Sequence, residues 1–388
     1  MCRALIEQGL EVMLATTDHD LSGEELRSKS KGAGDGQSSG ISFLAPGSLV
    51  LKGVPTVIFP KQLGNSFKYS RPFARWLNKN VANYDLVHIH AVFNHSCIAA
   101  ARACRENDVP YIVRPLGTLD TWSMNQKSFR KNVFWYSGIK RLLTKAAGIH
   151  YTATAEQAVV EKSLHLNHGF VVPLGVEMKP MKDPEARQKL SQHFPELSGH
   201  PYVLVLSRLH PKKALELLIN AFLPLVKQNE LSEWRLVIAG DGDAAYVSSL
   251  KRIVAEQNGQ EFVLFTGWLE GEKKNAALRN AGLVALPSRQ ENFGLCIAEA
   301  MACGVPVLVS PQVNLADTIE SFKCGWVAEL NDGALSDALA AAMGNGGERV
   351  IRGAAGRELA SHRFSWSAIA GDLSRVYAST INQQFKRS

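Results

Sequence analysis

LVALPSRQENFGLCIAEAMACGVPVLV, residues 283–309, reads as one complete strand–helix–strand unit. The apolar run 283–286 stops at Pro287, a polar loop follows, and Gly294 opens a helix over 294–301. A second apolar run, 306–309, closes the unit. Both runs are continuously apolar rather than alternating, as in strands of a sheet covered on both faces. Strand–helix alternation implies parallel strands joined by right-handed crossovers.

The same alternation extends outward. Strands are expected at 202–207, 234–239 and 262–265, with helices at 215–228, 244–256 and 272–280, and a last short strand near 325–327. Towards the N-terminus, 1–8 reads as the end of a helix with Gly9 as its cap. Strands follow at 11–16, 56–59, 85–90, 111–113, 148–152 and 169–173, with helices at 73–81 and 97–106. Residues 178–200 are polar and contain Pro180, Pro184, Pro195 and Gly199, the signature of a linker. The expected organisation is an α/β chain of two Rossmann-like domains, 1–177 and 201–364, joined by the linker 178–200, with a C-terminal segment 365–388. The default binding site is the cleft at the C-terminal ends of the strands.

Within the opening stretch, SRQENFGLCIAE (288–299) places Glu291 before the helix and Glu299 inside it, about 7.5 Å along the axis from Gly294. The first free amides of that helix, near Phe293–Cys296, can hold an anion without side chains. One carboxylate before an amide nest and one after it suits a hydroxyl-rich molecule with a diphosphate at its middle. Taken singly, each carboxylate reads better as a surface residue, Glu299 merely as a good helix former. A second segment shifts the balance: SRLHPKK (207–213) ends the first strand of the second half and brings Arg208 and Lys213 to the same end of the sheet, where two cations would neutralise a diphosphate.

Together these segments resemble glycosyltransferase family 4, whose members have the GT-B architecture of two facing Rossmann-like domains with a C-terminal helix crossing back to the first. The family pattern is an Arg and a Lys after the first strand of the C-terminal domain, then a Glu, seven residues and a second Glu. Arg208, Lys213, Glu291 and Glu299 fit it, with Ala214 where a Gly is usual. IAGDG (238–242), FTGW (265–268), VPLGV (172–176) and FSW (364–366) fit as well. The resemblance implies that Glu299 holds the nucleotide ribose, that Glu291 with Asn292, Phe293, Gly294 and Leu295 holds the sugar, and that Arg208 and Lys213 hold the diphosphate. Gly240 belongs to the donor site and Trp268 and Leu269 border the base. It also implies retention of anomeric configuration, no metal or other cofactor, and a leaving diphosphate that assists the incoming hydroxyl.

The first domain is expected to bind the acceptor, a glycan or lipid-linked molecule, through DLVHIH (85–90) and RPLGTLD (114–120), with His90, Arg114 and Gly117 facing it. Leu116 stands where family members often carry a His, which leaves Arg114 and His90 as candidates in its place. The chain begins inside the first helix of that domain, without the opening strand and Gly-Gly turn of the family. The expectation is either an upstream start or a truncated, impaired copy. The implied setting is polysaccharide assembly. The alternatives are a nucleotide-sugar epimerase of the same architecture and a non-catalytic relative that only binds nucleotide sugar.

Charge is uneven. Residues 1–177 hold 20 Lys and Arg against 14 Asp and Glu, while 178–388 hold 23 against 22. No acid occurs from Thr121 to Ala155, where Lys127, Arg130, Lys131, Lys140, Arg141 and Lys145 alternate with Phe129, Phe134, Trp135 and Tyr136. That stretch reads equally as a solvated helix face and as a surface for anionic lipid head groups. Without a nucleic-acid motif beside the charge, no nucleic-acid partner is expected. No apolar run spans a bilayer and no signal peptide is present, so the expected location is the cytoplasm, with peripheral contact at the inner face of the plasma membrane. The six cysteines contain no C-x-x-C pair and read as reduced and buried. His88, His90, His95 and Cys97 lack a second ligand pair at zinc spacing, and the triplets Asp18-His-Asp20 and Asp241-Gly-Asp243 read as turns, so no metal is expected.

Overall fold

A computed structural model of the protein describes residues 1–18, 48–64, 67–119, 138–180, 184–227 and 231–385. The Gly/Ser-rich stretch 28–40, which its composition alone would make a polar loop, Asp20, Asp120 and most of the basic-aromatic stretch, from Lys127 to Tyr136, lie outside the described residues. The chain divides into two compact units. Unit 1 is Met1–Val172 with Ile369–Ser388, and unit 2 is Pro173–Ala368.

Unit 1 begins with helix α1 (Cys2–Glu7), followed by strands β1 (Leu14–Thr17), β2 (Ser48–Leu51) and β3 (Val54–Phe59). Helix α2 (Arg71–Asn80) leads to β4 (Val87–His90), α3 (His95–Glu106), β5 (Tyr111–Arg114), α4 (Lys140–Thr144), β6 (Gly148–Tyr151), α5 (Thr154–Leu164) and β7 (Gly169–Val171). The strands form two sheets. The first has the order β1-β3-β2, and the second β4-β5-β6-β7 is parallel throughout. Among the described residues no ladder joins the two, so β1 and β4 are each paired on one side. The strand β2, antiparallel to β3, has no counterpart in the sequence reading.

Unit 2 opens with α6 (Pro184–His193). It continues through β8 (Tyr202–Leu206), α7 (Leu215–Lys227), β9 (Arg235–Ala239), α8 (Ala244–Glu256), β10 (Val263–Gly267), α9 (Gly271–Asn280), β11 (Leu283–Leu286), α10 (Leu295–Ala302), β12 (Val307–Val309), α11 (Ala316–Ser321), β13 (Gly325–Val327), α12 (Asp332–Gly344) and α13 (Gly346–Arg363). Its six strands are all parallel, in the order β10-β9-β8-β11-β12-β13. Both faces are covered: along β8, Tyr202 and Leu204 enter one core, while Val203 and Val205 enter the other. On α7 the residues Leu215, Leu218, Ile219, Phe222, Leu223 and Val226 are buried at helical spacing, one stripe against the sheet.

The segment 178–200 is not an irregular linker. It carries α6 and belongs to unit 2, with Leu190 buried in the same core as Ala276, Ala277 and Leu278 of α9. Pro184 at the first helical position starts the helix rather than breaking a chain. One deeply buried apolar side chain left no visible stripe in the sequence. The last helix, α14 (Trp366–Phe385), starts in unit 2, where Ser365 bridges Val176, and from Ile369 clusters with unit 1. There Tyr377 bonds His88, and Gln384 donates to the Asp108 carbonyl at 3.3 Å. No helix among the described residues is long and apolar enough to cross a membrane.

Candidate active site

In unit 2 the neighbours β8 and β11 form the point where the winding reverses: from β8 the chain runs outward to β9 and β10, from β11 to β12 and β13. Loops leaving two such strands diverge, and the crevice at their carboxyl ends is where open α/β sheets bind ligands. The loop after β8 carries Arg208 and Lys213, and the loop after β11 carries Ser288 to Glu291. The two are stitched together where the Arg289 amide donates to the Lys212 carbonyl at 2.7 Å.

Two ion pairs occupy this end of the sheet. Lys213, at the end of a short 3-10 turn and only 8% exposed, donates its Nζ to Glu291 Oε2. Lys274 of α9 reaches both oxygens of Glu299, at 2.8 Å each. Burial pushes the Cys296 thiol up to about 12, and Lys213, Glu291, Glu299 and Lys274 all act on it electrostatically. Cys296 stands in the first turn of α10, after the loop that carries Glu291 and one turn before Glu299. Arg208 is exposed beside them, and no partner is seen for its guanidinium among the described residues.

Backbone close to the site is shaped by two glycines. Gly294 takes a left-handed φ of +73° as the N-cap of α10, and a Cβ there would lie 3.3 Å from Leu286 Cδ2. With no capping side chain, the Leu295 and Cys296 amides at the start of α10 have no partner among the described residues and remain free for a ligand, while the Ile297 amide is taken by the Gly294 carbonyl at 2.8 Å. Gly240, at the end of β9, has φ +151°, and any Cβ would run into the Ser207 carbonyl oxygen. That close approach, followed by the Leu209 amide on the Asp241 carbonyl at 2.8 Å, holds the loop that carries Arg208. Two further groups that the sequence did not single out lie in the β11 loop: Ser288 Oγ and Gln290 Oε1 are buried and, among the described residues, have no hydrogen-bond partner. Polar atoms left so at a strand end carry an unmet desolvation cost that a hydroxylated ligand would relieve.

Of the other donor-site expectations, Phe293 is 2% exposed and packs edge-on against Phe364 at 5.7 Å. It is therefore a core residue whose backbone alone can serve the site. Leu295 is 43% exposed at the start of α10. Trp268 is exposed and Leu269 buried; they follow β10, separated from β8 by β9. The triplet 241–243 behaves as a turn: Asp243 caps α8 through the Ala245 and Tyr246 amides, and Asp241 accepts from the Gly242 amide. Of the other triplet, Asp18 accepts from the distant Lys61 amide at 2.8 Å, and residues 19 and 20 lie outside the described residues.

In unit 1, His90 and Arg114 are register partners at the carboxyl ends of β4 and β5. Arg114 is 7% exposed, and among the described residues its Nε has no hydrogen-bond partner. Behind them runs a directed relay. The Val172 carbonyl can only accept, so His150 Nε2, 2.7 Å away, carries a proton. Burial drives His150 down to about 3, which keeps the ring neutral and its Nδ1 an acceptor. His88 Nε2, at 3.3 Å, must then donate to it, and His88 Nδ1 must accept from the Tyr377 hydroxyl at 2.6 Å. His88 is thus a satisfied core histidine. Cys97 Sγ donates to the His90 carbonyl, and His95 packs on Tyr69, so neither joins the other two histidines in a ligand set. Leu116 adopts a left-handed φ of 57° and is 45% exposed. Gly117 donates its amide to Glu156 Oε1 at 3.1 Å, and the same buried carboxylate accepts from the Thr152 amide and hydroxyl, a supporting role invisible in the sequence.

Residues 1–175 match the model of the glycosyl transferase 4-like domain, and residues 186–359 match that of glycosyl transferases group 1. The chain belongs to the family 4 type of glycosyltransferases, with GT-B architecture. A family relative is the GDP-mannose-dependent alpha-(1-6)-phosphatidylinositol monomannoside mannosyltransferase of Mycobacterium tuberculosis, 30% identical over 52% of this chain and 54% of the relative. A D-inositol 3-phosphate glycosyltransferase of Xylanimonas cellulosilytica is 30% identical over 59% of this chain and 56% of the relative. The chain thus spans little more than half the length of these curated relatives. Among solved structures of this fold, Anabaena Alr3699/HepE in complex with UDP-glucose superposes with a TM-score of 0.71 at 17% identity, over 97% of this chain and 95% of that one.

Proposed function

We propose that the protein is a retaining glycosyltransferase that moves a sugar from a nucleoside diphosphate to a glycan or lipid-linked acceptor in polysaccharide assembly. The observation that carries the donor half is the grouping of Lys213–Glu291 and Lys274–Glu299 around the uncapped start of α10. The names of the relatives and of the solved complex, with GDP-mannose in one and UDP-glucose in the other, support a nucleotide-sugar donor and leave its base to experiment.

In the free protein each lysine is held by a carboxylate. An arriving diphosphate competes for Lys213, and Arg208 stands exposed to join it. Lys213 exchanges Glu291 for phosphate, and Glu291 is released to accept sugar hydroxyls. Glu299 exchanges part of its contact with Lys274 for the ribose. The α10 amides take phosphate oxygens. As the glycosidic bond breaks, the charge gathering on the leaving diphosphate is met by groups already in place, which is where such a site lowers the barrier. No metal is assigned a role. Unit 1 binds the acceptor, through the residues at the ends of β4 and β5.

Calorimetric titration of the purified protein with UDP, GDP and ADP, with and without EDTA, tests this reading. One diphosphate is expected to bind irrespective of EDTA, and Glu299→Ala and Lys213→Ala each weaken it, by about 1–3 kcal/mol if the contacts are charge-assisted. Binding of none of the three, or binding untouched by both substitutions, sinks the donor site.

A further inference from the structure

Four basic side chains meet in unit 1: His88, His90, His150 and Arg114. His88 and His150 have both ring nitrogens engaged in the relay from Tyr377 to Val172. His90 and Arg114 do not. Among the described residues the His90 ring has no hydrogen-bond partner, although it lies 4.5 Å from the His88 ring, centre to centre. Arg114 makes no ion pair there, and its Nε–H is buried with nothing to accept it. The nearby carboxylate of Glu156 acts on Arg114 electrostatically but is spent on Gly117 and Thr152.

Leaving a buried guanidinium donor unmet is costly, and the cost falls on the folded state until a ligand supplies the acceptor. The two orphans are side by side, as register partners on adjacent parallel strands whose side chains share a face. An Nε–H together with an Nη–H forms a fork matched to two oxygens of one anionic group. Burial and the charge of Arg114 hold His90 down to about 4, so near neutrality it adds a neutral N–H donor rather than a second charge.

We propose that Arg114 and His90 form an oxyanion subsite, which takes a carboxylate or phosphate group carried by the acceptor. The subsite rests on the reading of unit 1 as the acceptor-binding unit, and it narrows the acceptor to an acidic glycan or a phosphate ester.

The test uses the full-length chain with carbon-labelled histidine, at pH 7 and fixed ionic strength. The His90 ring signals, assigned with His90→Gln, are followed during titration with glucuronate in one arm and inorganic phosphate in the other. At least one arm is expected to shift His90 saturably, and Arg114→Gln to weaken that binding about tenfold or more. The tighter arm names the source of the anion. The His150 Nε2–H signal, held by the Val172 carbonyl, reports whether each variant keeps unit 1 folded. Should Arg114→Gln fail to fold, Arg114→Lys is expected to bind more weakly than the wild type, because it keeps the charge and loses the fork. No shift of His90 in either arm overturns the subsite, and a shift unchanged in the Arg114 variants means an adventitious ion only and overturns it too. Nucleoside diphosphate titrated into the same samples separates the two failures. If the diphosphate binds and the anions do not, the subsite alone is wrong; if nothing binds, the transferase reading falls with it.

Discussion

Replacing Glu291 by Gln should tighten the binding of a bare nucleoside diphosphate, although Glu291 is a donor-site residue. Lys213 and Glu291 are paired with side-chain exposures of 11% and 18%, so neither charge is well screened by water. At an effective dielectric of about 20, a contact pair is worth roughly 4 kcal/mol before desolvation, and a diphosphate must displace part of it to reach Lys213. Allowing for desolvation of both ions, removing the competing carboxylate should return about 1–2 kcal/mol, a gain of roughly five- to thirtyfold in affinity. For a nucleotide sugar the sign reverses, because the sugar hydroxyls lose their paired acceptor. Lys213→Met is the contrasting variant: it removes a phosphate ligand and strands the Glu291 charge, for a loss of about 2–4 kcal/mol. Isothermal titration with diphosphate and diphosphate-sugar, on wild type and both variants, reads all of these changes. Weaker diphosphate binding by Glu291→Gln would refute the exchange of Lys213 between carboxylate and phosphate.

Three further outcomes follow from backbone and titration. Leu116 is exposed with a left-handed φ of 57°, which costs a β-carbon-bearing residue about 1 kcal/mol; Leu116→Gly should recover part of that as a higher thermal midpoint, and a lower one would show that the side chain makes a contact worth more. Gly240→Ala drives a methyl into the Ser207 carbonyl and should destabilise unit 2 by about 3 kcal/mol or more in urea unfolding, with diphosphate affinity falling as the Arg208 loop shifts; an unchanged midpoint would show that β8 and β9 can part there at little cost. Burial lowers His88, His90 and His150, the last two to about 4 and about 3. The unfolded chain therefore binds protons below about pH 6.5 that the folded chain refuses, and stability is full above that pH and falls as it drops toward 4. Urea midpoints should decline between pH 7.5 and 5, and His150→Gln should flatten the slope; a flat wild-type profile would contradict the buried neutral relay.

Much of the second half was legible in the sequence because its signals are local. The strand at 283–286 appears as expected, and the continuous apolar runs 202–206 and 235–239 belong to a sheet with a core on each face. Glu291, Arg208 and Lys213 come from loops at strand ends and Glu299 from the helix that follows, positions that are set once strand and helix alternate. The partners of those residues were not legible. Lys274 is one of two adjacent lysines on a polar helix, and nothing local distinguishes it from Lys273, which meets His193 instead. Ser288 and Gln290 become notable only when burial shows that their polar atoms lack partners among the described residues.

In unit 1 the same division holds. Sequence alone determined that one strand ends at His90 and that the next stops just before Arg114 and Pro115, because a strand's pattern and a terminating proline act over a few residues. Only the tertiary structure decided that His150 and Tyr377 close a relay behind His88, that Glu156 holds the turn at Gly117, and that α6 is a packed helix. Each of these depends on burial and on partners distant in sequence: Tyr377 and His88 are 289 residues apart. Periodicity reports which face of an element is buried; it does not report which distant side chain will meet it there.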